Sequence, residues 1–347
     1  MTTPIGIDEI RAAAAGAAAA EAPNAKPALG DMVMPMPDFQ RLDIPPRRAY
    51  LAPWLREGSI CMISGGRGDG KTMFVMSLLG ATAKASGFGP WQCSEPTKGC
   101  IVDGEMPAQD TIERAAMLGV ADTPNLYIYS DAWASQNGFP RANLVDPEWR
   151  EKIKAVLIDK RIEIVAFDNL ASLAPGLDEN ARKDWDPVNQ FLLDLRFRGV
   201  SSILLHHTGK GGSQRGTSAR EDNLDCSILI SRPPDYVSEE GARFICRFTK
   251  SRVAHDDLHL IQDTEFRLSV DEYGQYVWTW RAVRQQTRVS ILELLSQGVK
   301  QAEVAEILSV SKGQVSKVRA KAIKEGVMTE KNVLTVDGLA ILEKGVF

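Results

Sequence analysis

Ile60-Cys61-Met62-Ile63-Ser64-Gly65-Gly66-Arg67-Gly68-Asp69-Gly70-Lys71-Thr72 is an apolar strand running directly into the pattern G-x-x-x-x-G-K-[ST], and this junction decides how the rest of the chain is read. Glycines tolerate backbone angles that turn successive N–H groups towards one point. The following 71–86 stretch reads as a helix, so the loop ends at a helix N-terminus, where unpaired N–H groups favour anions. Gly65 to Thr72 therefore form a phosphate cradle, with Lys71 supplying charge and the Thr72 hydroxyl a ligand for Mg²⁺. A nucleotide hydrolase is the expected class.

Working outward, apolar runs at 60–64, 100–103, 126–129, 162–168 and 202–205 alternate with helical patterns at 71–86, 109–118, 147–159 and 184–197. Such alternation predicts an α/β fold, a mostly parallel sheet with helices on both faces. Past residue 225 the pattern changes to strands without helices, at 227–230, 244–248, 258–261, 266–270 and 276–280, which read as antiparallel additions to the same sheet.

Strand ends place the chemistry. Asp168 closes the run Ile164-Val165-Ala166-Phe167 on the side where α/β sheets bind ligands, and is the expected second metal carboxylate. Glu105 lies just past Cys100-Ile101-Val102-Asp103 and is the candidate to orient or deprotonate water, with Asp103 competing. His206 or His207, ending another strand, is placed to contact a γ-phosphate. The polar, basic segment 208–220 follows, carrying Lys210, Arg215 and Arg220, with Lys250 and Arg252 behind later strands. These cations suit nucleic-acid phosphates or a neighbouring subunit's nucleotide.

Gly65 to Thr72, Ile101-Val102-Asp103-Gly104-Glu105-Met106-Pro107, Ile164 to Asp168, Leu204 to His207 with Lys210, and Arg215-Gly216-Thr217-Ser218 occur in the order found in the RepA-type plasmid replicative helicases. Over about residues 50–285 the chain resembles that branch of the RecA/DnaB-like hexameric ATPases, including a Glu-Asn pair within Asp178-Glu179-Asn180-Ala181. The resemblance implies a RecA-like core, a homo-oligomeric ring with nucleotide between subunits, and Mg-ATP hydrolysis that drives movement on single-stranded DNA. It makes Glu105 the catalytic base and His206 or His207 the sensor. Arg215 becomes the favoured trans-acting finger, Lys250 and Arg252 resemble the Lys-x-Arg finger strand of the DnaB branch, and Arg114 fits a position near base or ribose.

The chain departs from that family at its C-terminal end. Residues 284–347 hold ten basic against seven acidic residues, whereas the remainder holds 31 against 38. A helix near 287–296, a second over 301–308, the Ser309-Val310-Ser311 turn, a basic helix over 312–324 and an apolar strand pattern at 333–336 predict a winged helix-turn-helix. Lys312, Lys317, Arg319 and Lys321 are its candidate DNA contacts, and duplex DNA or a loading factor the expected partner. The division is thus a mobile Ala/Pro-rich tail over 1–34, a RecA-like core with an N-terminal arm over 35–284, and the winged unit over 285–347.

Composition agrees with a globular chain: 44% hydrophobic and 25% charged residues, net charge −4. No run matches a membrane helix, and the Ala-rich start lacks a basic leader region. Five cysteines without C-x-x-C spacing suggest neither a zinc site nor disulfides, so a cytoplasmic location and no membrane partner are expected. The leading reading is a replicative DNA helicase or translocase of a plasmid, phage or integrated element. The alternative is an ATP-controlled, sequence-specific DNA-binding regulator that does not unwind; a RecA-like kinase ranks below both.

Overall fold

The computed structural model describes residues 28–177, 182–208 and 222–344. It separates into two units at Pro46. Residues 28–46 of the first contain a 3-10 turn, Leu29–Met32, and a short helix, Met36–Phe39, that starts on Pro35 and Pro37. Most of the tail expected over 1–34 lies outside the described residues.

The second unit begins with a hairpin, β1 (Ala49–Leu51) and β2 (Leu55–Arg56), whose Tyr50, Leu51 and Trp54 are buried. β3 (Ile60–Gly65) leads into α1 (Lys71–Ala83). The order continues with β4 (Gly99–Asp103), α2 (Ala108–Met117), β5 (Leu126–Ser130), α3 (Asp131–Gln136), α4 (Pro147–Asp159), β6 (Ile164–Asp168), α5 (Leu170–Leu173), α6 (Arg182–Phe197) and β7 (Ser201–His207). Then come β8 (Cys226–Ser231), β9 (Arg243–Lys250), β10 (Thr264–Val270) and β11 (Tyr276–Ala282).

β3 to β11 form one nine-stranded sheet in the order β11-β10-β9-β8-β3-β7-β6-β4-β5. The six strands from β8 to β5 run parallel, and β9, β10 and β11 add antiparallel. The 227–230 run, expected to be antiparallel, is instead the last parallel strand: Asp225 N donates to Ile60 O, so β8 enters the sheet beside the start of β3 and runs in the same direction. The sheet has the arrangement that the sequence resemblance implies, mostly parallel strands with an antiparallel extension. Every residue of β3, β4 and β6 is buried, as expected of strands covered on both faces. On one face α1 packs with an aromatic cluster in which Phe74 meets Phe88, Phe244 and Phe266 at centroid distances of 5.4–5.5 Å. On the other, α4 and α6 lay Ile153, Leu157, Phe191 and Leu195 over Phe167 and Leu204.

Two expected strands are absent. Residues 258–261 belong to a 3-10 helix, His255–Ile261, with Asp256 and Asp257 in its first turn and only Ile261 buried. The acidic pair suits a helix N-terminus, and the segment lacks the second buried side chain a core strand needs. Residues 333–336 do not form a wing: one antiparallel bridge, Met328 to Leu334, closes a turn through Asn332 at φ 62°. Thr335 Oγ1 then accepts from Gly338 N at 3.2 Å and starts a helix over Val336–Lys344. The C-terminal segment is therefore helical, with α7 (Val283–Ser296), α8 (Gln301–Ile307), α9 (Lys312–Lys324) and α10 (Val336–Lys344) around a separate apolar cluster that includes Ile291, Leu295, Val304, Val315 and Ala322. Ser311 caps α9 by accepting from Gln314 N at 3.1 Å, so the helix-turn-helix junction forms as the sequence predicts.

No helix among the described residues is long and apolar enough to cross a membrane.

Candidate functional site

The Gly65–Thr72 loop joins β3 to α1 at the C-terminal ends of the parallel strands. Gly68 and Gly70 have φ of 77° and 92°, and a Cβ on Gly65 would come within 2.7 Å of the Ile230 carbonyl. Those positions require glycine. Lys71 is 5% exposed, with Nζ donating to Gly65 O at 3.1 Å and Gly66 O at 2.7 Å, so the loop curls around its ammonium. Burial lowers the Lys71 pKa, against the raising influence of Asp69, Asp168 and Glu105.

Around this loop lies a pocket of about 430 Å³, lined among others by Arg67, Lys71, Thr72, Glu105, Arg114, Asp168 and His207. Asp168, at the end of β6, is hydrogen-bonded to Thr72, and burial pushes its pKa up to about 6, with Asp103 and Glu105 adding to the rise. Among the described residues no cluster of three or more His, Cys, Asp or Glu side chains is arranged to hold a metal by itself. One buried carboxylate beside one hydroxyl is a hard-oxygen pair that fits Mg²⁺, an ion that takes few protein ligands and completes its shell with phosphates and waters.

Glu105 and Asp103 divide their duties. Asp103 Oδ1 accepts from the backbone N of Glu105 (2.9 Å) and of Met106 (3.0 Å), and its Oδ2 accepts from Thr111 Oγ1 at 3.0 Å. It is fully engaged in shaping the β4–α2 turn. Glu105 is half exposed in the pocket, where Asn169 Nδ2 donates to its Oε2.

The two histidines are separated by strand alternation. His207 shares the face of Ile203 and Leu205 and lies beside α1, whereas His206 shares the face of Leu204 and is buried under the opposite layer. The sensor expectation therefore narrows to His207. Its Nδ1 is 3.2 Å from Lys71 Nζ, its Nε2 is 3.1 Å from Asn169 Nδ2, and Glu105 Oε2 is 3.9 Å away. Burial lowers its pKa, and the Lys71 charge lowers it further. A neutral imidazole has one acceptor nitrogen, yet Lys71 and Asn169 both bring N–H groups to it. The cluster thus has more donors than acceptors, which suits an anionic ligand such as a terminal phosphate.

Asn169 and Arg232 were missed in the sequence. Asn169 directly follows Asp168 and also caps α5 by accepting from Ser172 N at 3.1 Å, a position where any short polar residue reads as a simple helix cap. Arg232, just past β8, meets Asp69 Oδ1 through Nε at 3.1 Å; only the pairing of β8 with β3 brings it to the loop.

Lys250 and Arg252 stand elsewhere. Lys250 ends β9 opposite Ser227 at the start of β8, and Arg252 is 3.6 Å from Asp225 Oδ1. That is the end of the sheet where β3 begins, away from the phosphate loop. Lys210, Arg215, Arg220 and the 178–181 pair lie outside the described residues. On α9, Lys312, Lys317 and Lys321 are exposed, and Lys317, Lys321 and Lys324 follow i, i+4, i+7 spacing opposite buried Val315 and Ala322. Arg319 is drawn off this stripe: its Nε donates to Asn332 Oδ1 at 2.6 Å and ties α9 to the following turn.

A family described as an AAA domain matches residues 28–213, more than half of the chain and all of the phosphate-loop side of this pocket. The chain belongs to the AAA-domain family. The chain is also 28% identical over 178 residues to the DNA repair protein RadA of Salmonella typhimurium, and 27% identical over 178 residues to that of Escherichia coli K12. Each match covers 51% of this chain and 34% of the relative, so the chain spans about a third of the length of the curated relatives it matches. A crystal structure of a KaiC-like protein from Pyrococcus horikoshii OT3 superposes with a TM-score of 0.47 and 17% identity, over 66% of this chain and 93% of that one.

The raised Asp168 pKa gives this AAA domain a pH signature. A carboxyl must be ionised to hold a divalent cation. With Asp168 as a Mg²⁺ ligand, the apparent Mg²⁺ affinity below about pH 6 would fall about tenfold per pH unit, an expectation checked by nucleotide-dependent Mg²⁺ binding in calorimetry between pH 5 and 8. The sign for metal-free stability is opposite. The folded carboxyl keeps its proton to higher pH than the unfolded one, so its contribution diminishes as pH rises from the ordinary carboxylate range to about 6.

Proposed function

We propose that the protein hydrolyses Mg-ATP and uses the energy to move on single-stranded DNA, as the replicative helicase or translocase of a mobile genetic element. The observation that carries the hydrolytic part is the donor-rich group Lys71, His207 and Asn169 facing Glu105, beside the Thr72–Asp168 pair. In this reading the loop amides and Lys71 hold the phosphates, and Thr72 and Asp168 hold Mg²⁺, which neutralises phosphate charge. Glu105 takes the proton of the attacking water. His207 bonds the γ-phosphate through Nε2–H and passes its loss to the segment that follows β7. Arg114, which lines the same pocket, lies against base or ribose.

The motor half of the proposal is supported by the ordered motif resemblance and by the relatives named for DNA repair. Subunits assemble into a ring, hexameric by the resemblance, in the cytoplasm. Arg215 is the trans finger, with Lys250 and Arg252 as the other candidates; their place at the far end of the sheet favours a neighbour's nucleotide over their own. Lys210 and Arg220 grip the single strand. The 285–347 unit follows the 35–284 core as a loading domain for duplex DNA or a loading factor.

The test is steady-state ATPase activity with Mg²⁺, without nucleic acid, with single-stranded DNA and with duplex. Single strands are expected to stimulate turnover about tenfold or more, and high salt to remove the effect. Indifference to single strands together with tight binding of a particular duplex would replace the motor with the second reading, an ATP-controlled DNA-binding regulator. The exposed stripe Lys317, Lys321 and Lys324 favours duplex contact in either case. Replacing the three by Ala is expected to weaken duplex binding and to reduce the slope of log affinity against log salt by about three, read by fluorescence anisotropy, with single-strand-stimulated turnover preserved.

A further inference from the structure

The phosphate loop is held from the antiparallel side of the sheet, by a strap that the hydrolytic residues do not include. Residues 232–243 cross from the end of β8 to the start of β9. At the far end of the strap Arg243 is the anchor: its Nε donates to Glu265 on β10 at 2.7 Å, NH1 to Glu240 and NH2 to Asp235, each at 2.9 Å. At the near end Arg232 reaches the loop. Its Nε lies 3.1 Å from Asp69 Oδ1, its NH2 donates to Gly68 O at 3.2 Å, and its guanidinium stacks over the Tyr236 ring at 4.5 Å. Asp69 Oδ2 in turn accepts from Gly66 N at 2.7 Å, inside the loop.

This geometry has an electrostatic consequence. Asp69 is a mostly buried carboxylate in a loop built to receive phosphate, and alone it would repel the ligand and be free to rotate. Arg232 both neutralises it and, by holding Oδ1, orients the carboxylate whose Oδ2 accepts from the Gly66 amide. We propose that Arg232 is a positioning residue for nucleotide: it acts through Asp69, keeping the loop in its phosphate-binding shape and cancelling a charge that would oppose binding. Tyr236, Gly241 and Ala242 of the same strap line the pocket, so the two arginines fix one wall of it together with the loop. The inference rests on the nucleotide-site reading above, but its structural half stands apart from it.

The test is a double-mutant cycle in the full chain with Arg232→Ala, Asp69→Asn and both, read in two ways. Amide hydrogen exchange without nucleotide reports the loop: Arg232→Ala is expected to speed exchange across 66–70 about tenfold, and unchanged exchange overturns the proposal. Calorimetry with Mg-ADP reports affinity: Arg232→Ala is expected to weaken binding about tenfold, and in the Asp69→Asn background the same change is expected to cost only about threefold, what remains coming from the Arg232–Gly68 O hydrogen bond. An equal loss in both backgrounds would overturn it, by making Arg232 a direct phosphate ligand or a general stabiliser of the fold. If the parent protein binds no Mg-ADP while exchange responds as expected, the nucleotide reading falls and the strap stands. If the parent binds and exchange is unchanged, the reverse holds.

Discussion

Replacing Glu105 by Gln is expected to lower ATP turnover about a thousandfold while leaving nucleotide affinity within about threefold of the parent. Glutamine preserves the size of the side chain and an oxygen to accept from Asn169, but it cannot take a proton from water. Single-turnover hydrolysis and Mg-ADP binding, measured on the same preparation, separate chemistry from binding. The neighbouring carboxylate provides the contrast. Asp103 has both oxygens committed to the β4–α2 turn, so Asp103→Asn should reduce stability and displace Glu105 instead of removing a proton acceptor. If Glu105→Gln kept normal turnover, the assignment of the water-activating role would pass away from the end of β4 altogether.

Arg243→Ala is expected to reduce the unfolding free energy by about 3–5 kcal/mol, the range for removing one partner from a buried charged cluster. Arg243 is 7% exposed and Glu265 2% exposed. Without the guanidinium, Glu265 retains Arg281 at 3.3 Å but loses its closer partner, Asp235 loses its ion pair, and Glu240 keeps only Arg267 at 3.9 Å. Arg243→Lys keeps the charge but not the fork that serves three carboxylates, and should fall between the two. Urea unfolding followed by tryptophan fluorescence measures all three proteins, since Trp278 packs in the adjoining aromatic cluster. A loss below about 1 kcal/mol would mean that water replaces the guanidinium at little cost.

Much of the site was legible because its residues sit at defined places relative to strands. Lys71 and Thr72 follow from a rigid spacing, and Asp168 and Glu105 from the rule that ligands gather beyond strand C-termini. The switch after residue 225 from alternating elements to consecutive strands announced the antiparallel strands β9 to β11, but not that β8, the first of the consecutive strands, pairs parallel with β3. What escaped the sequence depended on pairing between distant segments. Arg232 gains its meaning only because β8 lies beside β3, and His207 is preferred to His206 only once the strand's two faces are assigned. The 255–261 segment misled because Leu258-His259-Leu260 alternates as a strand would, whereas the Asp256–Asp257 pair just before it suits a helix N-terminus. At 333–336 a short apolar run was read as a wing, although Thr335 was already in place to start a helix.

The position of β3 in the sheet also governs how the protein is made. Cys61 lies between Ile203 of β7 and Cys226 of β8, both far downstream in the chain. A ribosome must therefore release the polypeptide past β8 before the phosphate loop has walls on either side. Until then β3 emerges as an apolar strand with neither partner, the kind of long-range pairing that slows folding and exposes nascent chains to aggregation. Nucleotide cannot guide the earliest steps, because the loop after β3, Asp168 of β6 and His207 of β7 come together only when β7 has paired between β3 and β6; its stabilising influence begins only after synthesis has passed that point.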